Sequence, residues 1–167
     1  PVADRWAMLR LAIRDRPLLR PCDLEVQRPG PSYMVDTLAE VARAHRGQDL
    51  FLIIGIDAYA EIDTWHRPEL LLALANIVVT TRPGHALPPR GVEPPVAARE
   101  DCCYDPLIGS HRHKSGHRLH VHHLDGLSVS SSEVRRRAAA GVDVSDLTGP
   151  DIAGYIRTHR LYEVSGS

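Results

Sequence analysis

The sequence predicts an α/β fold built on a parallel sheet, with a helical portion at its carboxyl end. Two short apolar runs, Leu50–Ile54 and Ile77–Thr80, indicate strands, and the leucine-rich stretch Pro68–Ala75 between them indicates a buried helix. Strand, helix and strand joined by short turns are typical of parallel sheets. Because both runs are continuously apolar, we expect the strands to be buried on both faces.

The elements before the first of these strands follow from periodicity and from proline. A first helix is predicted roughly from Asp4 to Arg14, ending before Pro17, and Leu24–Val26 is interpreted as a short strand. The segment Arg28–Tyr33 holds two prolines and a glycine and cannot be helix interior. A helix follows, with apolar residues on one face: Val35, Leu38, Val41 and Ala42.

The second half of the chain is less regular. Residues 82–117 are predicted to be a loop or insertion, because the stretch from Arg82 to Pro95 is rich in proline and glycine and no clear period follows it. Leu119–Leu124 is predicted to be the last strand. A helix begins at Ser130 and another at Pro150, so we expect one domain over residues 1–167 whose part 130–167 is helical.

Composition narrows the class of protein. A chain of 167 residues can form one domain with a substantial core, and a net charge of −1 argues against a general nucleic-acid binder or a polybasic membrane protein. No apolar run approaches the ~20 residues that span a membrane. Three cysteines, two of them adjacent, favour reduced thiols over a disulfide framework. We expect a cytoplasmic protein without membrane or nucleic-acid partners.

The clearest candidate for a ligand site follows the first predicted strand. Gly55 allows close approach of a ligand to the backbone, and Asp57 can accept two hydrogen bonds from a ribose diol. Trp65 offers a flat face to a ring. By themselves these residues favour the simpler interpretation of a strand, a turn and a core tryptophan.

Two predicted helix starts offer donors to anions. Ser130 and Ser131 open one helix, where free N–H groups attract phosphate, and Arg135 lies one turn further along. The alternative is an ordinary capping box with a solvated basic face. The turn Ser32–Met34 precedes the other helix, where backbone N–H groups could receive a carboxylate or phosphate, but local evidence favours a simple N-cap at Ser32. Arg82, after a strand end, either reaches into a cleft or is solvated.

A histidine cluster at residues 111–123 raises the question of a metal site. His120 and His122 alternate with Leu119 and Val121, which places them on the outer face of a strand and requires no metal. The spacing is irregular and carboxylates are not close by, so we expect no native metal site there.

Several segments, in order and at matching spacing, resemble bacterial nicotinate-nucleotide adenylyltransferases of the nucleotidyltransferase superfamily. The similarity covers nearly the whole chain except about Ala86 to His117. The matching segments are Arg28–Tyr33 with Asp36–Leu38, Phe51–Asp57, Thr64–Arg67, Val79–Gly84, Val129–Arg135, and Tyr155–Ile156 with Leu161–Tyr162.

The resemblance implies a Rossmann-like, doubly wound parallel sheet of the nucleotidyltransferase type. It also implies transfer of an adenylyl group from ATP, with Mg²⁺, to nicotinate mononucleotide, forming deamido-NAD and pyrophosphate in NAD biosynthesis. It leaves homo-oligomerisation open. Trp65, Asp57 and Ser131 would then lie around one crevice at the strand ends.

Site residues are implied by the same resemblance. The mononucleotide would contact Ser32, Tyr33 and Met34 through its pyridine carboxylate, Trp65 through its ring and His66 through the backbone, with Arg82 also assigned to this group. Ribose would be held by Gly55 and Asp57, and the ATP phosphates by Ser130, Ser131 and Arg135. Arg135 would also stabilise charge on the phosphates during transfer.

Two departures from the family pattern bear on activity. Met34 stands where the family usually has threonine, so a main-chain contact survives but a hydroxyl contact does not. Nothing in the sequence matches the family's initial glycine-rich turn with its His-x-Gly-His pair, so no catalytic histidine is identified and the first strand–helix unit is missing. We expect either that the sequence is part of a longer chain or that this member binds nucleotides without catalysing transfer. An adenylyltransferase with a different acceptor is a further alternative.

Overall fold

The computed structural model describes residues 1–81, 91–124 and 129–163, and its contacts divide the chain into two compact units. One unit comprises residues 28–127 and contains the sheet; the other combines residues 1–27 with the carboxyl-terminal residues from 128 onward. The expectation of one domain over residues 1–167 stays a prediction.

The larger unit contains five strands: β1 Phe51–Gly55, β2 Asn76–Thr81, β3 Cys102–Asp105, β4 Ser110–His113 and β5 Arg118–His123. They form one mixed sheet in the order β1-β2-β5-β4-β3. The first three strands in this order run parallel, and β4 and β3 continue the sheet as an antiparallel hairpin. The predicted strands at Leu50, Ile77 and Leu119 are therefore confirmed, and the α/β class with them.

Helices pack on one face of this sheet. The helical bounds in the unit are α3 Met34–Ala44, α4 Ile56–Tyr59 and α5 Leu71–Leu74, with 3-10 turns at Ile62–Thr64, Pro68–Leu70 and Val96–Asp101. The amphipathic α3 buries Val35 and Leu38, as predicted, and α5 buries Leu71 and Leu72 in the same core cluster. The predicted helix Pro68–Ala75 begins as a 3-10 turn rather than as an α-helix.

The strands are not all buried on both faces, which corrects the expectation drawn from their apolar runs. Leu52 of β1 lies in the core, whereas Phe51 and Ile53 are 57% and 67% exposed. The physical reason is position: β1 is the edge strand of the described sheet, and α3 and α5 pack on the face that carries Leu52.

The antiparallel hairpin β3–β4 lies where sequence patterns gave only a loop. Cys102 pairs with His113 and Tyr104 with His111, and Gly109 adopts a φ of +68° in the turn. Three of the four side chains of β4 are buried although they are polar: Ser110, on one face of the strand, and His111 and His113 on the other. Because inward and outward positions are both polar, the strand has no hydropathy alternation that could reveal it.

The smaller unit is helical, which confirms the predicted carboxyl-terminal helical part. Its helices are α1 Val2–Ile13, α2 Leu24–Gln27, α6 Ser131–Ala139, α7 Ser145–Thr148 and α8 Pro150–Thr158. Val144, Ala153 and Ile156 form its core, and the Tyr155 hydroxyl donates to Asp4 of α1 at 3.0 Å.

The prediction of a strand at Leu24–Val26 is wrong, because these residues lie in the short helix α2. The backbone N–H of Gln27 donates to the Asp23 carbonyl and closes the helical turn. Within the described ranges, none of the helices is long and apolar enough to cross a membrane.

A histidine network fixes the turn between β4 and β5 to the helical face. The Ser115 hydroxyl donates to the Leu72 carbonyl at 2.9 Å, and Nδ1 of His117 lies 3.0 Å from the same carbonyl oxygen. Nδ1 of His113 accepts the Ser115 backbone N–H at 3.1 Å and lies 2.8 Å from its hydroxyl. Since Nδ1 of His113 serves as an acceptor, the neutral ring is the form that fits this turn.

This turn makes stability depend on pH. Burial lowers the pKa of His113 from its ordinary value, against the opposing effect of Asp101, while Lys114 and His117 lower it further. The unfolded chain therefore takes up the proton first as pH falls. The stabilisation by neutral His113 is complete above the unfolded pKa of about 6.5 and is lost as pH falls through the folded pKa.

We expect His113→Gln to lower the free energy of unfolding by about 1–3 kcal/mol at about pH 8, because Ser115 loses its partner. The difference between variant and wild type should be smaller at about pH 5, because the wild type loses the contribution of neutral His113 as pH falls below the unfolded pKa. Urea unfolding at both pH values measures this. A difference that stays constant across the range would contradict the assigned protonation state.

Candidate functional site

The parallel strands end together at one edge of the sheet. Gly55 of β1 is in register with Thr80 of β2, and Thr80 with His122 of β5. The Thr80 hydroxyl donates to the Ile54 carbonyl at 3.2 Å and so ties the ends of β1 and β2 together. Ligands of open α/β sheets bind at the carboxyl ends of the strands, so this edge is the candidate site.

Gly55 leaves open space at this edge. Its φ of −73° and ψ of 154° are extended values that any residue adopts, so the backbone conformation does not require glycine. A Cβ built at Gly55 would meet no atom within 4 Å. Asp57 lies in the first turn of α4 and is exposed. The structure therefore offers space beside the strand end, with a carboxylate two residues further on.

Two polar contacts hold the residues that immediately precede Trp65. The Thr64 hydroxyl donates to the Glu61 carbonyl at 2.7 Å, and the Asp63 carboxylate accepts the Val96 N–H at 2.6 Å. Trp65 is half-buried and packs against the main core cluster. The indole therefore contributes to the core, as a structural tryptophan would, and part of it stays accessible, as a ligand-stacking surface requires.

A ring contact joins the start of α3 to this segment. The rings of Tyr33 and His66 lie 4.3 Å apart, centroid to centroid, at an interplanar angle of 32°. Tyr33 is the N-cap residue of α3, and its side chain makes no capping hydrogen bond. The helix therefore begins one residue later than an N-cap at Ser32 implies. The contact brings the turn Ser32–Met34 beside Trp65 and His66.

Arg28 fixes the proline-rich approach to α3. Its guanidinium donates to the Thr37 hydroxyl at 3.3 Å and to the Glu40 carboxylate at 3.1 Å. Sequence reasoning noted Arg28 as part of a motif but gave it no role. The signal that could have found it is weak, since its partners lie nine and twelve residues away, on the next helix.

In the smaller unit, the start of α6 is capped as predicted. The Ser130 hydroxyl accepts the Glu133 N–H at 3.1 Å, and Ser131 is exposed. The Glu133 carboxylate accepts hydrogen bonds from Arg137 and Arg136, which lower its pKa. Arg135 differs from these two arginines, because its guanidinium donates to the Ser132 hydroxyl at 3.4 Å, at the helix start.

The predicted site residues divide between the two units. The larger unit contains Ser32, Tyr33, Met34, Gly55, Asp57, Trp65 and His66; the smaller contains Ser130, Ser131 and Arg135. Arg82 lies outside the described residues. The expectation that Trp65, Asp57 and Ser131 surround one crevice stays a prediction, as do the individual roles.

The side chains described at the candidate site suit Mg²⁺ only when it is bound together with the phosphates of a nucleotide. In the portions of the chain that the structure describes, no three histidine, cysteine, aspartate or glutamate side chains gather as metal ligands. Mg²⁺ commonly binds through one or two carboxylates with substrate phosphates and water, and the exposed Asp57 is a carboxylate of that kind. The histidines of residues 111–123 spread over both sides of the sheet: His113 is buried, His120 half-buried and His122 exposed.

Comparison with known proteins agrees with this architecture. The family model described as cytidylyltransferase-like matches residues 1–137. A probable nicotinate-nucleotide adenylyltransferase of Citrifermentans bemidjiense is 37% identical over 162 residues, covering 96% of this chain and 74% of the relative. Another, of Geobacter metallireducens, is 37% identical over 164 residues, covering 97% and 75%.

Solved structures show the same fold. A Plasmodium falciparum nicotinic acid mononucleotide adenylyltransferase complexed with NaAD superposes with a TM-score of 0.66 at 19% identity, covering 96% of this chain and 73% of that one. Its structure complexed with APC gives a TM-score of 0.64.

The fold and the family model together place the chain among the nucleotidyltransferases, which are enzymes. The relatives define the family more closely. The chain belongs to the nicotinate-nucleotide adenylyltransferases.

The open space at Gly55 can be tested directly. We expect Gly55→Ala to leave the free energy of unfolding within about 0.5 kcal/mol of wild type, because φ and space allow a Cβ. Nucleotide affinity should fall about tenfold or more, because the methyl group occupies the space beside the strand end. Urea unfolding and calorimetric titration with ATP measure the two effects.

Gly154→Ala is the matched control. Gly154 lies inside α8, where a Cβ also meets no atom within 4 Å, so alanine should stabilise the helix and leave affinity unchanged. Full nucleotide affinity in Gly55→Ala would remove Gly55 from the site.

Proposed function

We propose that this chain transfers the adenylyl group of ATP to nicotinate mononucleotide, forming deamido-NAD and pyrophosphate. The observation that supports this most directly is the contact of Tyr33 with His66 at 4.3 Å. It joins a helix start, which suits a carboxylate, to the residue that follows Trp65, whose partly accessible indole suits a pyridine ring. The names of the relatives agree with this acceptor.

The acceptor would be bound by main-chain donors and by stacking. The Tyr33 carbonyl already accepts the Asp36 and Thr37 N–H groups. Donors for the nicotinate carboxylate therefore come from the first N–H groups of α3, at Met34, and from Ser32. A main-chain donor at Met34 does not depend on the side chain, so methionine in place of the family's threonine is tolerated. Trp65 would stack on the ring.

The donor nucleotide would be held through ribose and phosphate. Gly55 and Asp57 suit the ribose, and Ser130, Ser131 and Arg135 suit the phosphates at the start of α6. In the reaction, a phosphate oxygen of the mononucleotide forms a bond to the α-phosphorus of ATP as the bond to the β-phosphate breaks. Mg²⁺, bound with ATP, supplies neutralisation of the charge on the phosphates. Catalysis would rest on positioning and electrostatics.

A nucleotide-binding module without transfer activity is the second candidate. It is favoured by one sequence observation: no segment of the 167 residues matches the family's His-x-Gly-His turn. Loss of a charge-stabilising donor costs a typical enzyme roughly 10²- to 10³-fold in rate. Transfer to another phosphorylated acceptor, such as pantetheine phosphate, is a third candidate, against which Trp65 and the Ser32–Tyr33 turn weigh.

The test is pyrophosphate release from ATP with nicotinate mononucleotide, nicotinamide mononucleotide or pantetheine phosphate. We expect release with nicotinate mononucleotide, and Trp65→Ala should raise its KM at least about tenfold by removing the stacking surface. Trp6→Ala, which removes the other tryptophan, is the control and should leave KM unchanged.

A direct readout avoids turnover altogether. In Trp6→Phe the remaining indole is Trp65, and its fluorescence should be quenched by nicotinate mononucleotide. Binding without pyrophosphate release would favour the module, and release with pantetheine phosphate alone would favour the other acceptor. An unquenched Trp65 would remove the indole from the site.

The phosphate site is tested on adjacent arginines. We expect Arg135→Ala to weaken ATP binding about 10- to 100-fold, because a charged donor to phosphate is lost. Arg136→Ala is the matched control, since Arg136 is engaged by Glu133 on the same helix. Calorimetric titration measures both. Equal losses in the two variants would indicate a general charge effect rather than a site at Arg135.

A further inference from the structure

A buried hydroxyl orients one histidine at the carboxyl edge of the sheet. Thr81, the last residue of β2, is 2% exposed, and its hydroxyl lies 3.0 Å from Nδ1 of His123, the last residue of β5. The two residues are in register in the parallel ladder, and His123 itself is exposed. An exposed side chain is thus attached to a fixed point inside the fold.

The contact constrains which ring nitrogen can meet a ligand. When the Thr81 hydroxyl donates to Nδ1, the neutral imidazole carries its proton on Nε2. Nε2–H is then a donor on a ring whose rotation is restricted by the Thr81 contact. When one ring nitrogen of a histidine is hydrogen-bonded to the protein, that bond sets the tautomer and the orientation in which the other nitrogen meets a ligand.

The position of His123 suits the nucleotide. β5 lies two strands from β1, so at about 4.8 Å per strand the end of β5 is about 10 Å from the end of β1, where Gly55 lies. That distance is comparable to the span of a nucleoside with its phosphates. A ribose held near Gly55 and Asp57 would place phosphates within reach of the next strands.

We propose that His123 donates a hydrogen bond from Nε2 to a phosphate oxygen of the bound nucleotide, and that Thr81 positions the ring for this contact. The inference rests on the proposed function for the identity of the ligand. His123 would be a binding residue and Thr81 a positioning residue. Neither was assigned a role from the sequence, where His123 was one member of an unexplained cluster.

The experiment is calorimetric titration of the wild type and its variants with ATP, inorganic triphosphate and adenosine. We expect His123→Ala to weaken ATP and triphosphate about 10- to 100-fold and to leave adenosine binding unchanged. His122→Ala is the matched control, because the adjacent exposed ring lies on the opposite face of β5 and should have no effect. Thermal unfolding monitors the integrity of each variant.

Thr81 is tested through its coupling to His123. Thr81→Val should weaken ATP binding while Thr81→Ser, which keeps the hydroxyl, should restore it. In the double variant with His123→Ala, the Thr81→Val substitution should add no further loss, because Thr81 acts through the ring. Additive losses would contradict the positioning role.

The outcomes separate this inference from the proposed function. ATP and triphosphate binding that depends on His123, without pyrophosphate release, would leave the inference standing and overturn the function. Pyrophosphate release with unchanged nucleotide affinity in His123→Ala would overturn the inference alone. A wild type that binds neither ATP nor triphosphate overturns the inference, as does equal weakening by His122→Ala.

Discussion

The parallel register of three strands is the constraint on which the rest of the structure depends. Pairing Gly55 with Thr80, and Thr80 with His122, brings distant parts of the chain to one edge of the sheet. This register is fixed by burial, because a shift of one residue would turn Ile77 and Val79 out of the core. Site residues that follow β1 therefore inherit their position from the apolar pattern of the strands.

Short polar contacts then set the segments around that edge. Arg28 holds the approach to α3, and the Tyr33–His66 contact joins the helix start to the tryptophan segment. Arg67, next in sequence, adopts a left-handed φ of 52°, a conformation that costs a non-glycine residue some strain. Such strain persists where surrounding contacts over-determine the backbone, as they do in this segment.

The β3–β4 hairpin marks where sequence-based reasoning fails. Its buried polar residues are serine and histidine: Ser110 accepts a hydrogen bond from Arg118, and His113 bonds to Ser115. Arg118 also donates to Asp105 across the sheet. A hydropathy pattern cannot anticipate such pairs, because a polar side chain is buried where hydrogen-bond partners meet it, and hydropathy does not record which residues pair.

The sequence by itself determined the α/β class, the three parallel strands, the helix beginning after Tyr33 and the serine cap of α6. Each of these follows from local periodicity or from the local hydrogen-bonding needs of a helix end. The tertiary structure alone decided the antiparallel hairpin, the exposure of Phe51 and Ile53, and the contacts Tyr33–His66 and Thr81–His123. Those features depend on which strand lies at an edge and which residues become neighbours, and no short-range pattern encodes either.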